Sequence, residues 1–142
     1  MPLNSKSISQ RLIRLERYIA ELEKLQQVPF DDFQVDFTQQ LATERAFQAS
    51  IESCIDIASH LVSTYQLGQP QESRDVFQLL IQTGYITQEY GQAMMAMVSF
   101  RNRLVHLYWA IDLERLYEYL QTDVTLLRQF RDFGYMLLQV DE

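Results

Sequence analysis

Apolar residues recur every three or four positions near the start of the chain. Ile8, Leu12, Leu15, Ile19, Leu22 and Leu25 form one stripe, with Arg11, Arg14, Glu21 and Lys24 elsewhere around the wheel. That spacing follows the helical turn of about 3.6 residues and predicts an amphipathic helix with one buried face. The helix is expected to stop near Val28, because Pro29 disfavours helical geometry in the residue before it and Asp31-Asp32 suits a turn.

From Phe37 to Tyr65 the apolar positions widen into a band: Leu41, Ala46, Phe47, Ile51, Cys54, Ile55, Ile57, Ala58, Leu61, Val62 and Tyr65. A single neighbour does not cover so wide a face. The pattern therefore predicts a helix that either lies centrally in a bundle or shares its surface between the core and a second subunit.

Gly68-Gln-Pro70 should end that helix, Ser73 is positioned to cap a short one through Ile81, and Gly84 closes it. Thr87 is the candidate N-cap of a helix carrying Tyr90, Met94, Met97, Val98, Phe100 and Leu104, and Asp112 that of the next, with Leu113, Leu116 and Leu120. Thr122-Asp123 either divides the remaining stretch or is passed through, with Asp123 available as a cap ahead of Leu126, Leu127, Phe130 and Leu137. No internal repeat, low-complexity tract or linker interrupts the series. The expected fold is all-α, an antiparallel bundle of four to five helices forming one domain over residues 1–142.

Composition agrees with this picture and narrows it. A chain of 142 residues, 47% of them hydrophobic, is long enough for one core and short for two. With 4 glycines and 3 prolines, few tight turns are available to close a sheet. Cys54 has no second cysteine to form a disulfide or a metal or redox pair, which fits a reducing compartment. No apolar run approaches the roughly 20 residues that cross a bilayer, and Met-Pro-Leu-Asn-Ser-Lys lacks the apolar core of a secretory signal. A cytoplasmic protein without a membrane partner is expected.

The formal charge of -7 argues against indiscriminate nucleic-acid binding, which relies on many Lys and Arg contacts to phosphate. The charge is uneven, however. Residues 1–30 sum to +2 (5 basic, 3 acidic) and residues 31–60 to -5 (1 basic, 6 acidic), so a local basic surface is compatible with an acidic whole.

Counting removes most familiar sites. His60, His106 and Cys54 are too few and too scattered for structural zinc, and no glycine-rich loop is present to cradle phosphates. Asp31 and Asp32 lack a Glu-x-x-His companion for a di-iron bundle and read as a solvated turn. Neither a metal nor another cofactor is therefore expected. The segment Arg101-Asn102-Arg103-Leu104-Val105-His106-Leu107-Tyr108 remains, with two guanidiniums, an amide, an imidazole and a phenol in eight residues.

Such a set suits a phosphodiester. Arginine grips phosphate bidentately and stabilises the charge that builds on it in the transition state. Histidine titrates near neutrality and can take a 2'-hydroxyl proton or give one to a departing 5'-oxygen. Geometry opposes a simple version of this site, because five residues at about 100° each put His106 roughly 140° around a continuous helix from Arg101. Arg101 and Tyr108 would share a face, as would Asn102 and His106. Cooperation then requires either that the helix end or bend between Arg103 and His106, or that a two-fold axis bring one subunit's Arg101 to the other's His106.

A plainer reading exists for each residue. Arg101 and Arg103 also suit a solvated face, His106 a helix end beside its own carbonyls, and Tyr108-Trp109 a core. His60, mid-helix, and Cys54, between Ile51 and Ile55, read as structural residues.

Residues 100–109, Phe-Arg-Asn-Arg-Leu-Val-His-Leu-Tyr-Trp, closely resemble the Arg-x4-His-x-Tyr signature of HepT-like toxins of the HEPN superfamily. The stretch from Glu44-Arg45 through Asp56 to His60 is similar to that family's second helix, and Asp112-Leu-Glu-Arg-Leu-Tyr117 to its continuation after the motif. The resemblance runs from about residue 8 to 138. It implies a helical homodimer acting as a metal-independent ribonuclease, paired with a small MntA-like nucleotidyltransferase antitoxin. On it, Arg101 and His106 are the catalytic pair, Asn102 supports them, and Tyr108 is the tyrosine to which the antitoxin transfers AMP. Arg45 and Asp56 match recurrent positions whose role is either supporting or structural, and Arg103 is a further candidate for holding substrate. The resemblance does not fix which RNA is cut, and tRNA is the reasonable expectation. The competing class is a non-catalytic helical adaptor that dimerises and binds a nucleotidyltransferase.

Overall fold

A computed structural model describes residues 3–106 and 112–140. Every regular element in them is a helix: α1 (Ser5–Leu25), α2 (Phe30–Val35), α3 (Phe37–Thr64), α4 (Ser73–Gln82), α5 (Gln88–His106), α6 (Leu113–Thr122) and α7 (Val124–Val140). The all-α class expected from the pattern is the one observed. Its core is one continuous cluster of buried side chains to which six of the seven helices contribute several residues each, and α2 contributes Phe33.

All six stripe residues of α1 are at most 6% exposed. Asn4 caps the helix, its Oδ1 accepting the N–H of Ser7 at 3.0 Å. Leu12 packs against Gly134 while Glu23 pairs with Arg128 at 2.9 Å, so α1 and α7 run antiparallel.

The wide band of α3 places it at the centre, where it packs against each of the other six helices. That face begins at Thr43. Leu41, counted with the band, is 47% exposed, because in its first turns α3 buries no apolar side chain.

Two local effects raise the number of helices above the expected four to five. Asp31 and Asp32, expected in a turn, form the first turn of α2 instead. Pro29 stands at the N-cap, where its missing N–H costs nothing, and the two carboxylates oppose the helix dipole. Six residues do not hold a helix by themselves. Phe33 is fully buried, with its ring 5.3 Å from that of Tyr117, and burying such a side chain contributes about 1.5–3 kcal/mol. The second effect is the break at Asp123, the C-cap of α6, whose N–H makes the last helical bond, to the Tyr119 carbonyl at 2.8 Å. Its carboxylate accepts from Thr122 Oγ1 at 2.8 Å, and α7 starts at the next residue.

Between α3 and α4 the chain turns through Gln66 at φ 55° and Gly68 at φ 154°. A Cβ at Gly68 would lie 2.5 Å from Leu79 Cδ2, so close approach as well as conformation requires glycine there. The cap of α4 is Glu72 rather than Ser73. Asp75 accepts the backbone N–H of Gln71 at 2.9 Å and of Glu72 at 3.1 Å, which is the return half of a capping box. The Ser73 hydroxyl is thereby left for another partner.

Candidate active site

Four of the residues singled out from the sequence, Arg101, Asn102, Arg103 and His106, lie in the last turns of α5. Thr87 starts this helix as expected, its Oγ1 accepting the Tyr90 N–H at 3.1 Å. Met94, Met97, Val98 and Phe100 anchor it in the core, with the Phe47 ring edge-on to Phe100 at 5.5 Å. Tyr90 ties it to α7 by donating its hydroxyl to the Leu126 carbonyl at 2.9 Å, and burial pushes that phenol far above its ordinary range.

Helix α5 is continuous through His106. The helix therefore does not end between Arg103 and His106, one of the two alternatives that the spacing leaves open, and the i to i+4 ladder runs on from the buried turn at Phe100. Within one chain Arg101 and His106 point to different sides of the helix. Arg101 is half-buried, and His106 is exposed at the C-terminal turn. Asn102, half-buried and four residues before His106, shares its face, and its side chain makes no hydrogen bond among the described residues. Tyr108 and Trp109 lie outside the described residues.

Arg101 is held rather than free. Its Nη2 donates to Ser73 Oγ at 3.3 Å, so the hydroxyl that does not cap α4 fixes a guanidinium on α5. Its Nε is buried without an acceptor, and no carboxylate lies within ion-pair distance, both among the described residues. A buried donor left unsatisfied is costly, and an acceptor brought to this guanidinium would relieve that cost.

Asp56 of α3 lies within electrostatic reach of Arg101. Burial holds its carboxyl above the usual carboxylate range and Glu52 adds to this, with Arg11 and Arg101 acting in the opposite sense. Arg11 approaches Asp56 to 3.9 Å. Arg45 and Asp56 line one cleft of about 220 Å3 with Arg14, Tyr18 and Glu52, between α1 and α3. Arg45 and Asp56 thus share one cleft, Arg101 acts on Asp56 electrostatically, and neither Arg101 nor His106 is among the residues that line the cleft.

Arg103 points elsewhere. Its Nη2 donates to Tyr119 Oη at 3.1 Å, and its guanidinium lies 5.8 Å from the centre of the Phe100 ring. Tyr119, on α6, and its neighbour Arg115 are residues that sequence reasoning missed. An Arg and a Tyr four apart were visible in the chain, but the partner on α5 was not.

The two plain readings hold. Cys54 is fully buried, and that burial pushes its thiol up, away from nucleophilic character. His60 serves α1, as its bond to Asn4 shows. Among the described residues no three His, Cys, Asp or Glu side chains form a group able to hold a metal ion, and no helix is long and apolar enough to cross a membrane.

Residues 15–132 match the family described as Ribonuclease HepT-like. The chain is 39% identical over 113 residues to the mRNA nuclease HepT of Shewanella oneidensis, covering 78% of this chain and 85% of that protein. It is 34% identical over 105 residues to the tRNA nuclease HepT of Aphanizomenon flos-aquae, covering 74% and 71%. Among solved structures it superimposes on a tri-AMPylated Shewanella oneidensis HEPN toxin in complex with MNT antitoxin, with a TM-score of 0.84 and 33% identity over 91% of this chain and 96% of that one.

Proposed function

The chain belongs to the HepT-like ribonuclease family, and from that premise we propose that it is the endoribonuclease toxin of a toxin–antitoxin pair. One HEPN-like domain pairs with a second copy, and Arg101 of one subunit works with His106 of the other. The observation that carries this reading is the complete Arg101-x4-His106-x-Tyr108 pattern on a helix that does not break. A continuous α5 sets the two side chains about 140° apart, which supports a pairing across a two-fold axis.

In this reading Arg101 holds the scissile phosphate, and its Ser73 tether and unsatisfied Nε prepare it for an anionic acceptor. The 2'-oxygen attacks phosphorus as the bond to the 5'-oxygen breaks, leaving a 2',3'-cyclic phosphate and a 5'-hydroxyl. His106 accepts the 2'-hydroxyl proton or supplies one to the 5'-oxygen, and its exposure keeps it accessible to RNA. Asn102 supports His106 from the same face. Arg103 contacts RNA, and Arg45 and Asp56 support the Arg101 side. The reaction requires no metal, because the substrate supplies its own nucleophile.

The partner is an MntA-like nucleotidyltransferase that transfers AMP to Tyr108, placing bulk and negative charge beside the site. The substrate class is RNA. The relatives are named for mRNA and for tRNA, so tRNA is one target and not the only candidate. The complex acts in the cytoplasm.

Expression of the wild type beside Arg101→Ala and His106→Ala is the direct test. Growth arrest and RNA cleavage are expected from the wild type alone. Equal growth and intact RNA in all three would refute the reading. Loss of nucleotidyltransferase binding in His106→Ala with no difference in RNA would favour the adaptor.

A further inference from the structure

Two arginines from different helices flank one tyrosine. Arg103 of α5 donates to Tyr119 Oη at 3.1 Å, and Arg115, one turn earlier on α6, holds its guanidinium 5.9 Å from the centre of the same ring. Rings brace the arrangement: Phe100 and Tyr119 lie 4.3 Å apart at 31°, with Arg103 over Phe100 at 5.8 Å and Arg115 over Tyr119 at 5.9 Å. Phe100 is buried, so the platform is fixed in the core while both guanidiniums are exposed.

The charge balance is unusual. Neither arginine has a carboxylate within 4.0 Å among the described residues, although Glu118 and Asp112 act on Arg115 from further away. Two cations flank one neutral side chain in a protein of net charge -7. A latch between α5 and α6 would need one arginine. Two held against one neutral tyrosine leave uncompensated positive charge and several unused N–H donors, which is the pattern that a tetrahedral oxyanion satisfies. Glu118 and Asp123 line the adjoining cleft of about 240 Å3 with Arg115, Tyr119 and Thr122, so the cationic surface is narrow. It suits one phosphate rather than a long stretch of backbone.

Position supplies the second argument. Arg103 precedes His106 by three residues, which puts the two on adjoining faces about one turn apart on the exposed end of α5. Building on the ribonuclease reading above, we propose that Arg103, Arg115 and Tyr119 form a phosphate-binding subsite that holds a phosphodiester of the RNA next to the scissile one. Tyr119 is a positioning residue, since it bonds Arg103 and lies beneath Arg115.

The test measures affinity for a single-stranded RNA across a salt series in a His106→Ala background, where binding is separated from cleavage. Arg103→Gln and Arg115→Gln keep the aliphatic stems, and each is expected to weaken binding about tenfold and to reduce the salt slope by about 0.7. Tyr119→Phe keeps the ring stack and should weaken binding by a smaller factor, with the salt slope unchanged. With His106 intact, the arginine variants should raise KM and leave kcat near the wild-type value.

Unchanged affinity and slope in the Arg103→Gln/Arg115→Gln pair would overturn the subsite, provided wild-type protein cleaves RNA. Wild-type protein that neither cuts nor binds RNA would instead overturn the ribonuclease reading itself. Retained RNA affinity with lost binding to the nucleotidyltransferase would make the cluster a protein-docking surface and also defeat the proposal. Thermal unfolding of each variant, expected within a few degrees of wild type, separates these outcomes from misfolding.

Discussion

Nε2 of His60, in the last third of α3, accepts the backbone N–H of Asn4 at 3.0 Å across 56 residues of chain. Asn4 is also the N-cap of α1, so the imidazole secures the first turn of one helix to the side of another. To accept at Nε2 the ring carries its proton on Nδ1. Replacing His60 with Ala removes the acceptor at a half-buried position and should cost about 1 kcal/mol. Urea unfolding is expected to show a lower midpoint, with RNA cleavage by the folded protein preserved. Abolished cleavage in fully folded His60→Ala would show that the histidine belongs to the chemistry.

A site assembled across a two-fold axis has a distinctive signature. Arg101→Ala and His106→Ala, each inactive alone, should regain activity when mixed, because a mixed dimer holds one intact Arg101–His106 pair and one pair missing both. Random exchange makes about half the dimers mixed, each with about half the sites, so recovery should approach a quarter of wild type. No recovery after verified subunit exchange would show that the pair works within one chain.

Modification of Tyr108 is measurable by intact mass. Incubation with ATP and the nucleotidyltransferase partner should add whole multiples of AMP and suppress RNA cleavage. The same adduct on Tyr108→Phe would assign it to another residue.

Gly91 lies in α5 where a Cβ would come within 2.3 Å of both Cγ1 and Cδ1 of Ile81. Gly91→Ala gains up to about 1 kcal/mol of helix propensity but crowds the α4–α5 contact, and overpacking typically costs about 1–3 kcal/mol. The net expectation is a loss of about 1 kcal/mol in denaturant unfolding. A stabilised variant would mean that Ile81 moves aside freely.

Two tyrosines should shift in opposite directions from the ordinary phenol range. At Tyr119 burial works to raise the phenol, but hydrogen bonds and charge from Arg115 and Arg103 outweigh it, and the phenol ends below its ordinary value. Phenolate absorbance should reveal one early tyrosine that disappears in the Arg103→Gln/Arg115→Gln pair. Tyr90 is shifted upward by burial, so the folded state keeps a proton that the unfolded state releases. Its contribution to stability is complete below about pH 10 and is lost as pH rises beyond that, and Tyr90→Phe should flatten this loss.

The local elements were legible because their causes are local. The six-residue stripe of α1, the caps at Thr87 and Asp112, and the placement of Arg101 to His106 on one helix follow from spacing and short polar side chains, whose effects act within a turn or two. The Arg-x4-His-x-Tyr pattern was likewise complete in the chain alone. Tertiary structure decided what depends on distant partners. Tyr117 and the core hold Asp31 and Asp32 in a helix that a turn-like sequence did not foretell. Glu72 replaces Ser73 as a cap, leaving Ser73 to Arg101, 28 residues away. Packing around Phe100 keeps α5 helical through His106. The meeting of Arg103 with Tyr119 was hidden for the same reason: it is made by two helix faces coming together, and periodicity along one helix carries no information about the face opposite.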